Sequence, residues 1–141
     1  MPTLNRIVET ALYVDSLERA GAFYAQTLGL RSLLATDSLH AFGVGDSSVL
    51  LVFKRGGSMR TQVLPDEGGT IPPHDGSGPI HICFSVDADA LGEWEASLNE
   101  AGVAIEGRTQ WPRGGESIYF RDPDGHLLEL MTPGNWDLPG L

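Results

Sequence analysis

The sequence repeats one order of predicted elements, and few folds accommodate such a repeat. Residues 5–55 read as a strand, a helix and three further strands, and residues 80–132 read as the same series. The two halves align at Val14-Asp15 with Val86-Asp87, at Leu28-Gly29 with Ala101-Gly102, and at residues 46–51 with residues 124–129. Repeats of this length are typical of pseudo-symmetric sheet packing, so the sequence predicts an α+β protein of two βαβββ modules.

Glycine, proline and short polar turns separate the predicted elements. Strands are expected at residues 7–14, 30–36, 39–44, 49–54, 80–86, 103–107, 114–120 and 126–131. Asp15 is expected to cap the first helix, and Asp87 with Asp89 the second. Residues 56–79, rich in glycine and proline, are expected to form a flexible linker over the surface. We therefore predict one domain over residues 1–141, with modules at 5–55 and 80–132, this linker between them, and a tail at 133–141.

The composition indicates a protein of small-molecule chemistry. A formal charge of −10, with only nine basic residues, argues against binding to nucleic acids or anionic membranes. The single cysteine, Cys83, excludes an intramolecular disulfide and fits a reducing compartment. Neither a secretory signal pattern nor a membrane-length apolar run is present, so a cytoplasmic location is expected.

Residues 117–132 predict two strands joined by a tight turn that contains Pro123 and Gly125. In the second strand, apolar side chains alternate on both faces around one carboxylate, Glu129. A buried carboxylate is costly unless it is paired or binds a metal. The alternative is a glutamate at a sheet edge that reaches solvent or an arginine.

The aligned repeat places Glu9 and His81 at one equivalent position, and Leu51 and Glu129 at another. Two modules paired about a pseudo-twofold axis would bring these four positions to one concave face. Three of the four residues are of types that bind metals, and the set suits Mn²⁺, Fe²⁺, Ni²⁺ or Zn²⁺. The alternative is that His81 is a core histidine and Glu9 an exposed charge.

Three segments resemble the vicinal oxygen chelate superfamily, which includes glyoxalase I, bleomycin resistance proteins, extradiol dioxygenases and fosfomycin resistance enzymes. They are Asp15-Ser-Leu-Glu-Arg-Ala with Phe23-Tyr24 and Leu28-Gly29-Leu30, then Pro79-Ile-His81-Ile-Cys-Phe, then Tyr119-Phe-Arg-Asp-Pro-Asp-Gly-His-Leu-Leu-Glu129-Leu. The resemblance implies two βαβββ modules forming a cupped mixed sheet around one divalent metal ion. His81 and Glu129 match ligands that most members share, and Glu9 stands where His or Gln is usual.

The resemblance leaves several reactions open. Glyoxalase I-like lyase or isomerase chemistry on a substrate with vicinal oxygens is favoured, with Glu129 or Glu9 as the base. Leu51, however, stands where glyoxalase I carries a fourth ligand. Extradiol dioxygenases and fosfomycin enzymes lack this ligand, and Leu51 matches them. In a fosfomycin-like enzyme Ser117 and Tyr119 would contact the phosphonate, although ordinary strand filling also explains both. A metal-free ligand-binding protein of the bleomycin resistance kind is the non-enzymatic alternative.

Other residues are assigned from their predicted places in the chain. Tyr13 and Cys83 are expected to line the substrate pocket, and His74 in the linker could close over a small-molecule substrate. His126, at the exit of the turn, is expected in solvent, and His40 on the concave face. The superfamily often forms homodimers, and we expect one here, with the apolar tail from Trp136 contributing.

Overall fold

The strands form two four-stranded sheets and one small two-stranded sheet in a computed structural model that describes residues 1–141. The chain divides into a first unit, Met1–Ser77, and a second unit, Gly78–Leu141. Each unit contains one four-stranded sheet and one main helix. No helix is both long and apolar enough to span a membrane.

The first unit holds six strands and one helix that continues into a π-helical turn, Phe23–Thr27. In chain order these are β1 (Glu9–Val14), α1 (Leu17–Ala22), β2 (Arg31–Ala35), β3 (Leu39–Val44), β4 (Ser48–Lys54), β5 (Gln62–Val63) and β6 (Thr70–Ile71). The order in the large sheet is β1-β4-β3-β2, with β1 parallel to β4 and the other pairs antiparallel. Strands β5 and β6 form a separate antiparallel hairpin.

The second unit repeats the arrangement without the hairpin. Its elements are β7 (His81–Ser85), α2 (Leu91–Glu100), β8 (Gly107–Gln110), β9 (Glu116–Arg121) and β10 (Leu127–Met131). The sheet order is β7-β10-β9-β8, and β7 runs parallel to β10. Each strand thus has a counterpart at the same place in the other sheet.

Strand register confirms the alignment of the two repeats. Ala11 pairs with Leu51 in the first sheet, and Cys83 pairs with Glu129 in the second. Ala11 lies two residues after Glu9, as Cys83 lies two residues after His81. Because side chains alternate along a strand, Glu9 and His81 occupy equivalent sites, and so do Leu51 and Glu129.

Each sheet has a helix-facing side, which holds the core, and an open side. The buried residues alternate along the strands with half-exposed ones, as a sheet covered on one side requires. On the helix-facing sides the core residues are Leu12, Val14, Phe42, Leu50 and Val52 in the first unit, and Ile118, Phe120, Leu128 and Leu130 in the second. Ala20 and Tyr24 complete the first core from the helix, and Leu98 completes the second.

Both helices begin later than the sequence analysis predicted. The Ser16 hydroxyl, not Asp15, accepts the capping hydrogen bond from the Arg19 amide, and Asp15 is paired with Arg55. The second helix has Ala90 at its N-cap, with no side-chain cap. Asp87 and Asp89, its predicted caps, lie in a turn before the helix, in which the Ala90 amide donates a hydrogen bond to the Asp87 carbonyl.

Two predicted segments also differ from the structure. A strand was predicted at residues 103–107, but β8 begins only at Gly107. The Val103 amide is still hydrogen-bonded to the Leu98 carbonyl at the helix end, which delays the strand. Residues 56–79 contain the β5–β6 hairpin, and Asp75 accepts a hydrogen bond from the Gly56 amide at 3.0 Å. Part of the linker is therefore folded against the first unit.

The predictions for His126 and His40 were wrong. His126 has 0 % exposure and lies 2.7 Å from Asp122, since strand alternation puts it on the same side as the buried Leu128. His40 shares the helix-facing side with Phe42, against which its ring stacks. A β-carbon on Gly21 of the helix would lie only 2.8 Å from the His40 ring.

Two glycines with similar backbone angles offer a matched test of close backbone packing. Gly115 has φ +81° and Gly125 has φ +84°. A β-carbon at Gly115 would lie 2.8 Å from the carbonyl oxygens of Thr132 and Pro133, whereas one at Gly125 would meet open space. We expect Gly125→Ala to cost about 1–2 kcal/mol and Gly115→Ala about 3 kcal/mol or more in denaturant unfolding. Equal losses would contradict the contact.

Trp136 and Leu138 of the tail are exposed, and the Gly134 amide bonds to the Leu141 carbonyl at 2.8 Å. The tail therefore folds back on itself and leaves apolar surface uncovered. The homodimer to which it would contribute stays a prediction.

Candidate metal centre

His81 and Glu129 meet on the open side of the second sheet, on the parallel neighbours β7 and β10. The Nε2 atom of His81 lies 3.1 Å from Oε2 of Glu129, and its Nδ1 atom lies 2.9 Å from the Leu127 carbonyl oxygen. The His81 side chain is 46 % exposed and the Glu129 side chain only 5 %. The predicted burial of Glu129 is confirmed. The pair is therefore open to a small ligand on the histidine side.

The contacts of His81 determine which of its two ring nitrogens carries the proton in the neutral form. A carbonyl oxygen only accepts hydrogen bonds, so Nδ1 must carry a proton and donate it to Leu127. In a neutral ring Nε2 then has a lone pair, which faces a carboxylate oxygen that also only accepts. Such an arrangement requires a cation between the two atoms, either a proton on Nε2 or a metal ion bound by both.

The second carboxylate oxygen of Glu129 makes the metal interpretation chemically suitable. Oε1 is buried and has no hydrogen-bond partner, a state that costs about 1–3 kcal/mol or more for a charged group. Imidazole and carboxylate are ligands for Zn²⁺ and neighbouring divalent metals. Two ligand atoms, each ~2.1 Å from one ion, lie about 3.0–3.4 Å apart, which matches the observed 3.1 Å. The residues present fit a divalent metal ion.

Glu9, the third predicted ligand, lies in the first unit at the start of β1. It is exposed and makes no hydrogen bond or ion pair, so its oxygens are available to a metal or substrate. No group of three or more His, Cys, Asp or Glu side chains able to hold a metal occurs in the structure. Ligation by Glu9 therefore stays a prediction.

Cys83, Ser117 and Tyr119 lie on the same side of the second sheet as Glu129. Burial, then the Glu129 charge and the hydrogen bond that the thiol can give to the Glu129 carboxylate, raise the pKa of Cys83 to about 12. Ser117 is buried and accepts a hydrogen bond from the Trp111 indole at 2.8 Å, which gives it a structural partner. Tyr119 lies directly opposite Glu129, and its hydroxyl lies 3.5 Å from the Thr109 hydroxyl. Of these residues, Ser117 is buried, whereas Cys83 is exposed and Tyr119 is partly exposed, so the last two can contact a substrate.

Tyr13 and His74 meet on the open side of the first sheet, although 61 residues separate them in the chain. The Tyr13 hydroxyl and His74 Nδ1 are 2.7 Å apart, and the Phe53 ring packs against both residues. Burial, followed by the Asp75 charge, raises the pKa of the Tyr13 phenol above its usual value. These rings form the wall of a cleft of about 590 Å³ that Glu9 also lines.

Two further residues, not predicted as functional from the sequence, build this cleft and support the turn near Glu129. Arg55 holds the linker against the first sheet through the carbonyl oxygens of Gly76 and Tyr13, at 3.3 and 3.1 Å. Asp122 accepts from the amides of Asp124 and His126 at 3.0 and 2.9 Å. The motif Asp-Pro-Asp-Gly-His carried a signal for the second set, because an aspartate often binds amides two or more residues ahead in turns. No local sequence signal indicated the contacts of Arg55.

Residues 6–130 match the family model of the Glyoxalase/Bleomycin resistance protein/Dioxygenase superfamily. The chain belongs to this superfamily. The resemblance stated from the sequence motifs is thereby confirmed, and the two four-stranded modules are those of its fold.

Individual relatives point to two kinds of enzyme. The chain is 43% identical over 125 residues to the metallothiol transferase FosB of Bacillus licheniformis, spanning 88% of this chain and 73% of that protein. It is 33% identical to the lactoylglutathione lyase structure from Agrobacterium tumefaciens, with a TM-score of 0.86, covering 97% of this chain and 100% of the other.

A more distant structure, the fosfomycin resistance protein FosX of Listeria monocytogenes, is 19% identical. It covers 94% of this chain and 95% of its own, with a TM-score of 0.64, and shares the fold. Together the likenesses support a metal-dependent enzyme of this superfamily, without singling out one reaction.

Proposed function

We propose that this protein is a divalent-metal-dependent enzyme that joins a thiol to a small electrophile bearing adjacent oxygens. The observation that carries the proposal is the His81–Glu129 pair, in which Nε2 lies 3.1 Å from one carboxylate oxygen while the other oxygen is buried without a partner. The relative that bears the name metallothiol transferase and aligns over most of the chain supports the choice of reaction.

His81 and Glu129 would hold the metal ion, with Glu9 as the third ligand. The bound ion would supply Lewis-acid polarisation of the substrate oxygens. Leu51 occupies the place in the first unit that Glu129 occupies in the second, so the first unit offers no donor there. A set of three protein ligands leaves positions open for the substrate.

The protein's own side chains have further roles in this proposal. The carboxylate oxygen of Glu9 that does not bind the ion would accept the proton of the incoming thiol. Glu129, fixed by His81, would keep its position as a ligand. Tyr119, on the strand beside Glu129, would orient the substrate through its hydroxyl.

A lactoylglutathione lyase-like reaction is the second candidate, because the lyase structure is similar across nearly the whole chain. This reaction was the one favoured from the sequence resemblance. It would use the same ligands, with Glu9 or Glu129 as the base that moves the proton. The two candidates differ in substrate, so parallel assays separate them.

The test combines metal content with two assays. Chelator-treated protein is reloaded separately with Mn²⁺, Ni²⁺, Zn²⁺ or Fe²⁺, then assayed for thiol addition to an epoxide and for isomerisation of a methylglyoxal–glutathione adduct. We expect about one ion per chain and metal-dependent thiol addition. His81→Ala and Glu129→Gln should lower activity about 10³-fold, since a bound metal supplies several kcal/mol of transition-state stabilisation.

Glu100→Gln is the matched control, because Glu100 is exposed at the end of α2 and makes no ion pair. It should keep both metal and activity. Turnover in the isomerisation assay alone would replace the first candidate with the second. A parent protein that binds none of the four ions would overturn the proposal and favour a metal-free binding protein.

A further inference from the structure

The β5–β6 hairpin and the open side of the first sheet enclose two adjoining chambers. One, of about 590 Å³, extends from Glu9 along the sheet to His74, and the other, of about 400 Å³, extends from His74 to Arg60. Both lie wholly within the first unit. Six residues line both chambers, namely Leu34, Leu39, Phe53, Gln62, Ile71 and His74. The chambers therefore form one continuous cleft, here named the hairpin cleft.

The larger chamber has the shape and lining for a flat apolar group. Its floor is Leu51, flanked on the neighbouring strands by the small residues Ala11 and Ala41. At its end the rings of Tyr13 and Phe53 stack with centroids 5.7 Å apart, and His74 meets Phe53 edge-on at 4.6 Å. Aromatic rings stack favourably on such a wall.

The smaller chamber is more polar than the larger one and carries a positive charge. Arg60 lines it together with the hydroxyl groups of Ser58 and Thr61. Arg60 makes no ion pair, although the chain has 19 acidic and nine basic residues. Four other arginines have carboxylate partners, namely Arg55, Arg108, Arg113 and Arg121. An unpaired guanidinium can bind a carboxylate, phosphate or sulfonate through two parallel hydrogen bonds.

The wall shared by the two chambers is built before any ligand arrives. The His74 amide donates to the Ser58 carbonyl at 2.9 Å, and its ring bonds to Tyr13 at 2.7 Å. Gly76 and Asp75, just beyond, are held by Arg55 and the Gly56 amide. A site that is already ordered loses little entropy on binding, which favours a small-molecule ligand.

We propose that the hairpin cleft binds a small molecule with a flat apolar body and an anionic head group, the body lying against Tyr13 and Phe53 and the head on Arg60. Only the identification of this ligand as a substrate of the enzyme rests on the proposed function. Binding itself requires the first unit alone. The division of the cleft into an apolar and a cationic end makes Arg60 the residue that selects the ligand's charge.

The test uses three naphthalene probes that share one body and differ in the head group: 2-naphthylacetate, 2-naphthylacetamide and 2-(2-naphthyl)ethylamine. Dissociation constants are measured by calorimetry on the full chain. We expect the acid to bind about 10-fold more tightly than the amide, as a charge-assisted hydrogen-bond pair provides. The cationic amine should bind more weakly than the amide.

Arg60→Gln should equalise the acid and the amide without changing the affinity for the amide. Arg113→Gln is the matched control, because Arg113 is an exposed arginine of the second unit. It should preserve the preference for the acid. Phe53→Leu should weaken binding of all three probes about equally. Since Arg60 is exposed, its replacement leaves the fold intact, and thermal unfolding verifies this.

Equal affinities for the acid and the amide in the parent, a preference for the acid that survives Arg60→Gln, or no binding of any probe would each overturn the proposal. Repeating the measurement on chelator-treated protein and on Glu129→Gln separates this result from the metal chemistry. A parent protein that binds none of the four metal ions but retains the preference for the acid would refute the proposed function alone. Metal-dependent turnover without any preference would refute the hairpin-cleft ligand alone.

Discussion

Replacing Glu129 with glutamine is expected to stabilise the metal-free protein and to abolish its stabilisation by metal. In the parent, one buried carboxylate oxygen has no partner, and the other lies 3.1 Å from His81 Nε2. An amide at this position would donate a hydrogen bond to Nε2 and remove a buried charge. We expect a gain of about 1–2 kcal/mol in the free energy of unfolding without metal.

Added metal should make the parent more stable to unfolding than Glu129→Gln, the reverse of the order expected without metal. A ligand that binds only the folded state at 1,000 times its dissociation constant adds about 4 kcal/mol. The parent should show this gain in urea unfolding with Zn²⁺ or Mn²⁺, whereas Glu129→Gln should show little of it. Glu100→Gln should behave as the parent in both conditions. An equal metal-induced gain in Glu129→Gln would exclude Glu129 as a ligand.

Replacing Asp122 with alanine is expected to cost about 3–5 kcal/mol, because it removes one partner of a fully buried pair. Asp122 Oδ2 lies 2.7 Å from His126 Nδ1, and its Oδ1 accepts two amides of the turn before β10. His126 Nε2 is buried without a partner, so loss of the Asp122 contact leaves the whole ring unsatisfied.

Asp122→Asn separates the two contributions, since the amide oxygen can still accept from the turn while the charge is lost. It should give an intermediate loss in denaturant midpoint. Asp137→Ala, at a side chain that is 94 % exposed, should change stability by less than about 0.5 kcal/mol. A loss for Asp122→Ala no larger than that for Asp137→Ala would show that the buried pair contributes nothing.

The β-strand patterns contained enough information to align the two halves of the chain residue by residue. The structure pairs Ala11 with Leu51 and Cys83 with Glu129, and this register agrees with the alignment because alternation has a strict period of two. Candidate ligands could be found because a charged residue in an otherwise apolar strand breaks that pattern. Helix starts were less predictable, as competing acceptors near Ser16 and Ala90 show.

The amino-acid sequence by itself determined the repeated βαβββ order, the correspondence between the two halves and the placing of His81 and Glu129 on one side. These features depend on local periodicity, which each strand carries in its own residues. Only the tertiary structure decided which nitrogen of His81 carries the proton in the neutral ring, that His126 is buried, and that the hairpin cleft forms. The first and last of these depend on pairs such as His81–Leu127 and Tyr13–His74, which lie 46 and 61 residues apart. No local pattern specifies such partners, because packing brings them together only when the chain has folded.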